Sequence, residues 1–129
     1  MSPEFLDVGD VLELHALQLE RFGGGAGVRD QGLLESAVAQ PAATFGGELV
    51  HADLFAMAAA YLFHIVRNHP FVDGNKRAGL LAATVFLELN GISIDRGSED
   101  LYALTMAIAE SRAGKDAAVE TLRRLATDR

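Results

Sequence analysis

Cysteine is absent from the 129-residue sequence, so neither a disulfide framework nor a thiolate zinc site is available. Lysine is scarce as well, because nine of the eleven basic residues are arginine. The net charge is −7 and the isoelectric point is near 4.9. An acidic chain of this kind is a poor match for proteins that bind nucleic acid through a basic surface, and we expect no direct nucleic acid binding.

The sequence also lacks a long hydrophobic run. The longest one, residues 54–63, stops at His64 and is far too short to cross a bilayer. The start of the chain has neither the basic residues nor the apolar stretch of a signal peptide. We therefore expect no membrane association and a cytoplasmic location.

Helical periodicity dominates what the sequence does contain. Half of the residues are hydrophobic and no segment is of low complexity, so the chain can bury one core without cross-links. Apolar residues recur at helical spacing almost throughout, and no linker or internal repeat interrupts them. We predict one all-α domain over residues 1–129, with six helices.

Capping residues, glycines and prolines set the limits of the predicted helices. Asp30 is a suitable N-cap for the second helix and Ser98 for the fifth, and Gly91 ends the fourth. The fourth helix has scarcely any polar face, so we predict that it is the central one. Short extended segments are expected at residues 44–51 and 92–94. The predicted helices cover about residues 8–22, 31–38, 52–67, 76–90, 99–111 and 116–125.

The segment between the two most hydrophobic helices carries the candidate chemistry: His69-Pro-Phe-Val-Asp-Gly-Asn-Lys-Arg77. Its proline favours the end of one helix at His69, and Lys76 and Arg77 occupy the first turn of the next. Cations at that position oppose the helix dipole, unless an anion binds the free backbone N–H groups beside them. Gly74 would let the turn present its amides to such an anion.

Two further side chains in this segment suit phosphoryl transfer. Asp73 is its only carboxylate and could hold the divalent cation that a nucleotide triphosphate needs. His69 is the only general base available there for a protein hydroxyl. A base, a metal ligand and a phosphate cradle within nine residues predict transfer of a phosphate-containing group. The alternative is a polar helix–loop–helix turn in which His69 caps a helix and both cations are solvated.

These nine residues resemble the signature of the Fic/Doc family, and specifically of its Doc (death-on-curing) branch. Three further segments resemble Doc-type sequences in order and spacing, so the likeness covers nearly the whole chain: residues 27–38, 41–47 and 85–91. The resemblance implies a compact Fic-type bundle of about six helices with a short β-like flap. It also implies a toxin of a two-gene toxin–antitoxin module in a bacterial or archaeal cytoplasm.

The same resemblance assigns roles to residues of the motif. His69 would be the catalytic base that deprotonates a target hydroxyl, and Asp73 would bind Mg2+ through the phosphates of ATP. Pro70 and Phe71 are expected to be structural, with the phenyl ring packed inward to anchor the loop. The residues expected to bind the nucleotide phosphates are Gly74, Asn75, Lys76 and Arg77.

Two positions favour phosphate transfer over nucleotide transfer. Fic enzymes that transfer AMP generally have glycine where Lys76 stands, and a second arginine where this chain has Leu80. Doc toxins resemble this sequence at both positions and are understood to phosphorylate a threonine of elongation factor Tu, which stops translation. We therefore expect transfer of the γ-phosphate of ATP to a Ser or Thr hydroxyl of a translation factor. The alternatives are a nucleotidyl transferase and a non-catalytic regulatory module that binds an antitoxin.

The implied partners are a protein target and an antitoxin. In this family the flap pairs with an extended segment of the target by strand addition. Inhibition is expected from a Phd-like antitoxin whose C-terminal segment docks on the toxin. The residues that map to the flap are Gly46, Gly47, Glu48, Leu49 and Val50.

Polar residues outside the motif are weaker candidates. His15 and His64 lie on or beside apolar helical faces and are interpreted as core or boundary residues. Arg67 and Asn68 precede the base and would orient it, touch the substrate or cap the helix. The glycines at positions 23–25 are interpreted as a loop, since no phosphate-loop lysine follows them.

Overall fold

Six α-helices make up most of residues 2–128, the part of the chain that the computed structural model describes. Each helix end lies within two residues of its predicted position, and the all-α prediction is confirmed. A short 3-10 turn, Gln40–Ala42, follows the second helix. The helices are α1 (Val8–Phe22), α2 (Gln31–Ala39), α3 (Leu54–Asn68), α4 (Asn75–Leu89), α5 (Glu99–Ala109) and α6 (Lys115–Leu125).

Side-chain caps begin four of these helices. In α1 the Asp7 carboxylate accepts from the Asp10 amide at 2.8 Å, and the Asp10 carboxylate accepts from the Asp7 amide at 2.9 Å. Such reciprocal pairs satisfy N–H groups that have no partner within the helix. Helix α4 differs, because its N-cap residue is Gly74, which has no side chain to accept a hydrogen bond. The other capping residues are Asp30 in α2, Asp53 in α3 and Ser98 in α5.

An exposed hairpin forms the predicted flap. Strand β1 (Thr44–Phe45) pairs antiparallel with β2 (Glu48–Leu49). Between them, Gly46 and Gly47 have φ of 61° and 84°, the pair of left-handed conformations that a tight hairpin turn requires. The Phe45 side chain is 85% exposed, so the hairpin projects from the bundle.

A second pair of short strands joins the segment after α4 to the segment after α6. Strand β3 (Ile92–Ser93) pairs antiparallel with β4 (Thr127–Asp128). The extended conformation near Ile92 was predicted, whereas β4 was not. Two residues are too few to show the alternation by which a strand is recognised in a sequence.

The central helix is α3, and the prediction that α4 holds this position is wrong. Helix α3 packs against α2, α4, α5 and α6, and residues 57–62 are all buried. Although α4 is apolar on most sides, Leu89 is 49% exposed, and Leu80 and Leu81 are only partly buried because they line open cavities. Within residues 2–128, no helix has the length and hydropathy to span a membrane.

Helices α3 and α4 approach each other closely at Gly79. A Cβ atom at this position would lie 2.9 Å from Cγ2 of Val66 and 3.3 Å from the carbonyl oxygen of Leu62. Because the segment that joins α3 to α4 is the motif, the separation of these two helices sets the distance between the ends of the motif.

Candidate active site

One cavity of about 530 Å³ lies where the end of α3, the start of α4 and one face of α5 meet. Its volume is in the range of small-molecule sites. The cavity contains all six residues that were predicted to carry the chemistry: His69, Asp73, Gly74, Asn75, Lys76 and Arg77. The remaining lining residues are Val66, Leu80, Tyr102, Thr105, Met106 and Ala109.

His69 ends α3 in a left-handed conformation, with φ 52° and ψ 53°. A non-glycine residue adopts this conformation at a cost, and the following proline removes the helical alternative. The backbone there is held from outside the helix, because the Arg29 guanidinium donates to the His69 carbonyl at 2.7 Å and to the Asn68 carbonyl at 3.0 Å. The imidazole itself is exposed at the cavity.

The loop after His69 is pinned to the segment that precedes α2. The amide of Arg29 donates to the Pro70 carbonyl at 2.7 Å, and the amide of Val72 donates to the Gly27 carbonyl at 3.0 Å. Pro70 is buried and Phe71 is completely buried, so both residues pack into the bundle. The loop is therefore part of the core on one side and of the cavity on the other.

Asp73 presents an exposed carboxylate that backbone amides hold in place. One oxygen accepts from the Gly25 amide at 3.3 Å, and the other accepts from the Gly74 amide at 2.8 Å. The hydrogen bond from Gly25, then that from Gly74, lowers the pKa of the Asp73 carboxyl, with smaller contributions from Arg77 and Lys76. The carboxylate is thus anionic at neutral pH and available to a cation.

The N-terminus of α4 is open to an anion. Gly74 has φ 77°, and its carbonyl accepts from the Ala78 amide at 2.9 Å, which starts the helix. With no side-chain cap, the first turn offers backbone N–H groups and the positive end of the helix dipole. Lys76 and Arg77 are exposed in this turn, and the Arg77 guanidinium lies 4.6 Å from the centre of the Phe22 ring.

The side chain of Asn75 has a different role from the backbone around it. It is 5% exposed, accepts from the Phe71 amide at 2.9 Å and donates to the Phe71 carbonyl at 3.0 Å. The amide group therefore closes the loop on itself. What Asn75 can offer to an anion in this conformation is its backbone N–H, so its predicted phosphate contact is restricted to that group.

Comparison with known proteins agrees with this geometry. Residues 5–87 match the model of the Fic/DOC family. The chain belongs to the Fic/DOC family. It is 46% identical over 91 residues to a protein named Toxin Doc from Mycolicibacterium smegmatis, with 70% of this chain and 68% of that protein covered. It is 34% identical over 125 residues to Protein kinase doc of Escherichia phage P1, with 97% of this chain and 94% of that protein covered. The predicted resemblance and the Fic-type fold are confirmed.

A magnesium ion fits this Fic/DOC site only together with a ligand. Within residues 2–128 no group of three or more His, Asp or Glu side chains could hold a metal ion. Asp73 could supply one carboxylate oxygen, and phosphate oxygens and water would supply the rest, which is the usual arrangement of Mg2+ in nucleotide sites. The exposed, anionic carboxylate beside an uncapped helix N-terminus suits that arrangement.

Several parts of the site were not predicted. One face of α5 forms a wall of the cavity, and no sequence pattern indicated which face this would be. The Gly24 backbone passes so close to Asp73 that a Cβ atom would lie 2.8 Å from a carboxylate oxygen, so the glycine segment is a part of the site rather than only a loop. The residues of the α5 wall are spaced three and four apart: Tyr102, Thr105, Met106 and Ala109.

The residues just before the base fasten the end of α3. Asn68 donates to the Leu33 carbonyl at 3.0 Å, and Arg67 donates to the Ile108 carbonyl at 3.4 Å and to the hydroxyl of Ser111. Of the roles predicted for them, these contacts favour support of the helix end. His64 is partly buried beside Lys115, as a boundary histidine.

The flap lies away from the cavity. None of its five predicted residues is among the cavity's lining residues, and Leu49 instead lines a separate cavity with residues at the start of α3. A 15-residue helix is about 22 Å long, so the hairpin and the motif lie towards opposite ends of α3. The role of Gly46, Gly47, Glu48, Leu49 and Val50 in binding a target stays a prediction.

Proposed function

We propose that this Fic/DOC chain is a Doc-type toxin that transfers the γ-phosphate of ATP to a Ser or Thr hydroxyl of a protein. The observation that carries the proposal is that His69, Asp73 and the uncapped, cationic start of α4 line one cavity. The names of the two relatives, a toxin and a protein kinase, support the same activity.

Each group in the cavity has a separate role in the proposed transfer of phosphate. The phosphates of ATP bind at the first turn of α4, where backbone N–H groups, Lys76 and Arg77 stabilise their charge. His69 accepts the proton of the target hydroxyl as its oxygen bonds to the γ-phosphorus. The bond from the γ-phosphorus to the bridging oxygen breaks, and ADP leaves with that oxygen. Mg2+, when bound at Asp73 and the phosphates, would neutralise phosphate charge and orient the transferred group.

Two positions in the cavity support phosphate transfer in preference to nucleotide transfer. Leu80 lines the cavity, so an arginine at that position would have reached a bound nucleotide, and this chain lacks it. Lys76 lines the same cavity and adds a charge where the AMP-transferring enzymes generally have glycine. Nucleotidyl transfer is the second candidate, because the base and the anion site would serve it equally well.

We propose elongation factor Tu as the target and a Phd-like antitoxin as the inhibitor, and both place the protein in the cytoplasm. The target segment would pair with the flap while its hydroxyl reaches His69. Since α3 is about 22 Å long and extended chain advances about 3.3 Å per residue, roughly seven residues would separate the two contacts. A target peptide would therefore have to extend well beyond its reactive residue in order to contact the flap as well.

Intact mass spectrometry tests the reaction. The chain is incubated with ATP, Mg2+ and elongation factor Tu, and a phosphate-sized gain on the factor is the expected result. A nucleotide-sized gain would replace the first candidate with the second. No gain on elongation factor Tu or on any protein of a cell lysate would contradict both enzymes.

The variant His69→Ala distinguishes a catalytic toxin from a non-catalytic regulatory module. We expect it to abolish both the mass gain and toxicity on induced expression, with little change in melting temperature because the imidazole is exposed. His64→Gln is the matched control, since His64 lines neither this cavity nor the one beside the flap and should leave activity intact at neutral pH. If His69→Ala remains as toxic as the parent, a non-catalytic module is the better description.

A further inference from the structure

We infer that His15, a residue of α1 outside the motif, is a positioning residue that fixes the orientation of the Asp73–Gly74 peptide and so prepares the anion site. The effect on phosphate transfer rests on the proposed function. The orientation of the peptide does not.

The hydrogen bond and the ring stack of His15 both go to the motif. Its Nε2 lies 2.8 Å from the carbonyl oxygen of Asp73. Its ring is stacked on the Phe71 ring, with centroids 3.7 Å apart and planes 5° from parallel. Its Nε2 is also the nearest heavy atom, at 3.6 Å, to the place that a Cβ atom on Gly74 would occupy. At 5% exposure the ring is enclosed between α1 and the turn.

The hydrogen bond has a defined direction. A carbonyl oxygen only accepts, so Nε2 of His15 carries the hydrogen and donates it to Asp73. The peptide between Asp73 and Gly74 is planar and trans, with no cis bond in residues 2–128. Its N–H therefore points opposite to its C=O. By holding the carbonyl towards α1, His15 turns the Gly74 N–H away from α1, where it donates to the Asp73 carboxylate at 2.8 Å.

Two groups assigned to ligand binding depend on this one peptide. Its N–H holds the Asp73 carboxylate that is proposed to meet Mg2+, and the peptide leads into the first turn of α4, whose uncapped N–H groups form the anion site. Gly74 is free to rotate at φ 77°, because glycine lacks the steric limits of other residues. A donor from outside the turn is what selects one orientation, and His15 supplies it. Stacking on Phe71 holds the donor itself in place.

The test compares variants that keep or remove the donor. Gln can place an N–H near the position of Nε2, whereas Met has a similar length and no donor. His15→Phe keeps a ring for the stack on Phe71 and also lacks the donor. We expect His15→Met and His15→Phe to weaken binding of ATP with Mg2+ about tenfold, the size of effect that a weakened hydrogen bond to a charged group produces, and His15→Gln to recover most of it.

Three measurements on the full chain decide the inference. Titration calorimetry gives the affinity for ATP with Mg2+, kinetics separate kcat from KM, and 1H–15N spectra report the Gly74 amide. A moved or broadened Gly74 resonance in the Met and Phe variants, restored in the Gln variant, supports the positioning role.

Equal nucleotide affinity and an unmoved Gly74 resonance in the Met and Gln variants would overturn it. If the Met variant unfolds while the Gln variant folds, the bond is needed for folding alone and the inference is wrong. Should the parent fail to transfer phosphate, the proposed function fails, while nucleotide affinity and the Gly74 resonance still decide the role of His15.

Discussion

Gly79→Ala should destabilise the protein, although alanine is the better helix former. The substitution adds one methyl group in the second turn of α4, where a Cβ atom would lie 2.9 Å from Cγ2 of Val66. Val66 is β-branched and has little freedom to turn away. The second neighbour is the Leu62 carbonyl oxygen at 3.3 Å, which is backbone and can move only with α3.

The expected magnitude is a difference of two terms. Overpacking of a close-packed core costs about 1–3 kcal/mol, while Gly to Ala in a compatible helix stabilises by about 0.4–1 kcal/mol. The free energy of unfolding should therefore fall by about 1–2 kcal/mol, and the melting temperature by about 3–8 °C for a domain of this size. Because α3 and α4 carry the two ends of the motif, we also expect weaker binding of ATP with Mg2+ at temperatures well below melting.

Gly32→Ala is the matched control, since it makes the same change in an open part of α2. The nearest atom to a Cβ there is Oδ1 of Asp30 at 3.5 Å, an ordinary contact. That variant should melt at or above the parent temperature. Thermal and urea unfolding followed by circular dichroism measure both. If Gly79→Ala were as stable as Gly32→Ala, the reasoning about the α3–α4 contact would be refuted.

Three other perturbations have defined outcomes. Asn75→Ala should lower the free energy of unfolding by about 2–4 kcal/mol, because it leaves the buried amide and carbonyl of Phe71 without partners. Arg29→Lys should change stability little but lower kcat, because an ammonium cannot reach both carbonyls at the end of α3. Acidification should destabilise the fold through His64. Burial of its ring, followed by the charge of Lys115, lowers its pKa to about 4. The unfolded chain then binds more protons than the folded one between pH 6.5 and 4, so stability falls as the pH falls through this range.

Controls distinguish these effects from general damage. Asn75→Asp can still accept from the Phe71 amide, so its loss of stability should be smaller than that of Asn75→Ala. Arg29→Lys with unchanged kcat would mean that the two hydrogen bonds do not restrain His69. For the acid effect, unfolding is measured by urea at several pH values in the parent and in His64→Gln. An equally steep decline in both proteins would show that His64 is not its source.

The sequence by itself determined the helices and the position of the chemistry. Helix limits depend on local signals such as the Asp30 and Ser98 caps, and those signals act within a few residues of where they are read. The motif likewise brings His69, Asp73 and Gly74 together because they are neighbours on one turn. For the same reason, local signals said nothing of β4, whose pairing partner lies far away in the chain.

Tertiary packing decided what surrounds the motif. The packing of α1 places His15 within hydrogen-bond distance of the Asp73 carbonyl. The packing of α5 places one of its faces beside α4 as a wall of the cavity. Asn75 was predicted as a phosphate ligand, but its side chain closes the loop because Phe71 is buried and its backbone needs partners. Helix α3 is central because it packs against four other helices. Leu80 and Leu81 of α4 are apolar as well, but they line open cavities and do not pack into the centre of the bundle. A one-dimensional pattern shows that a helix face is apolar, but not whether it meets another helix or a binding site.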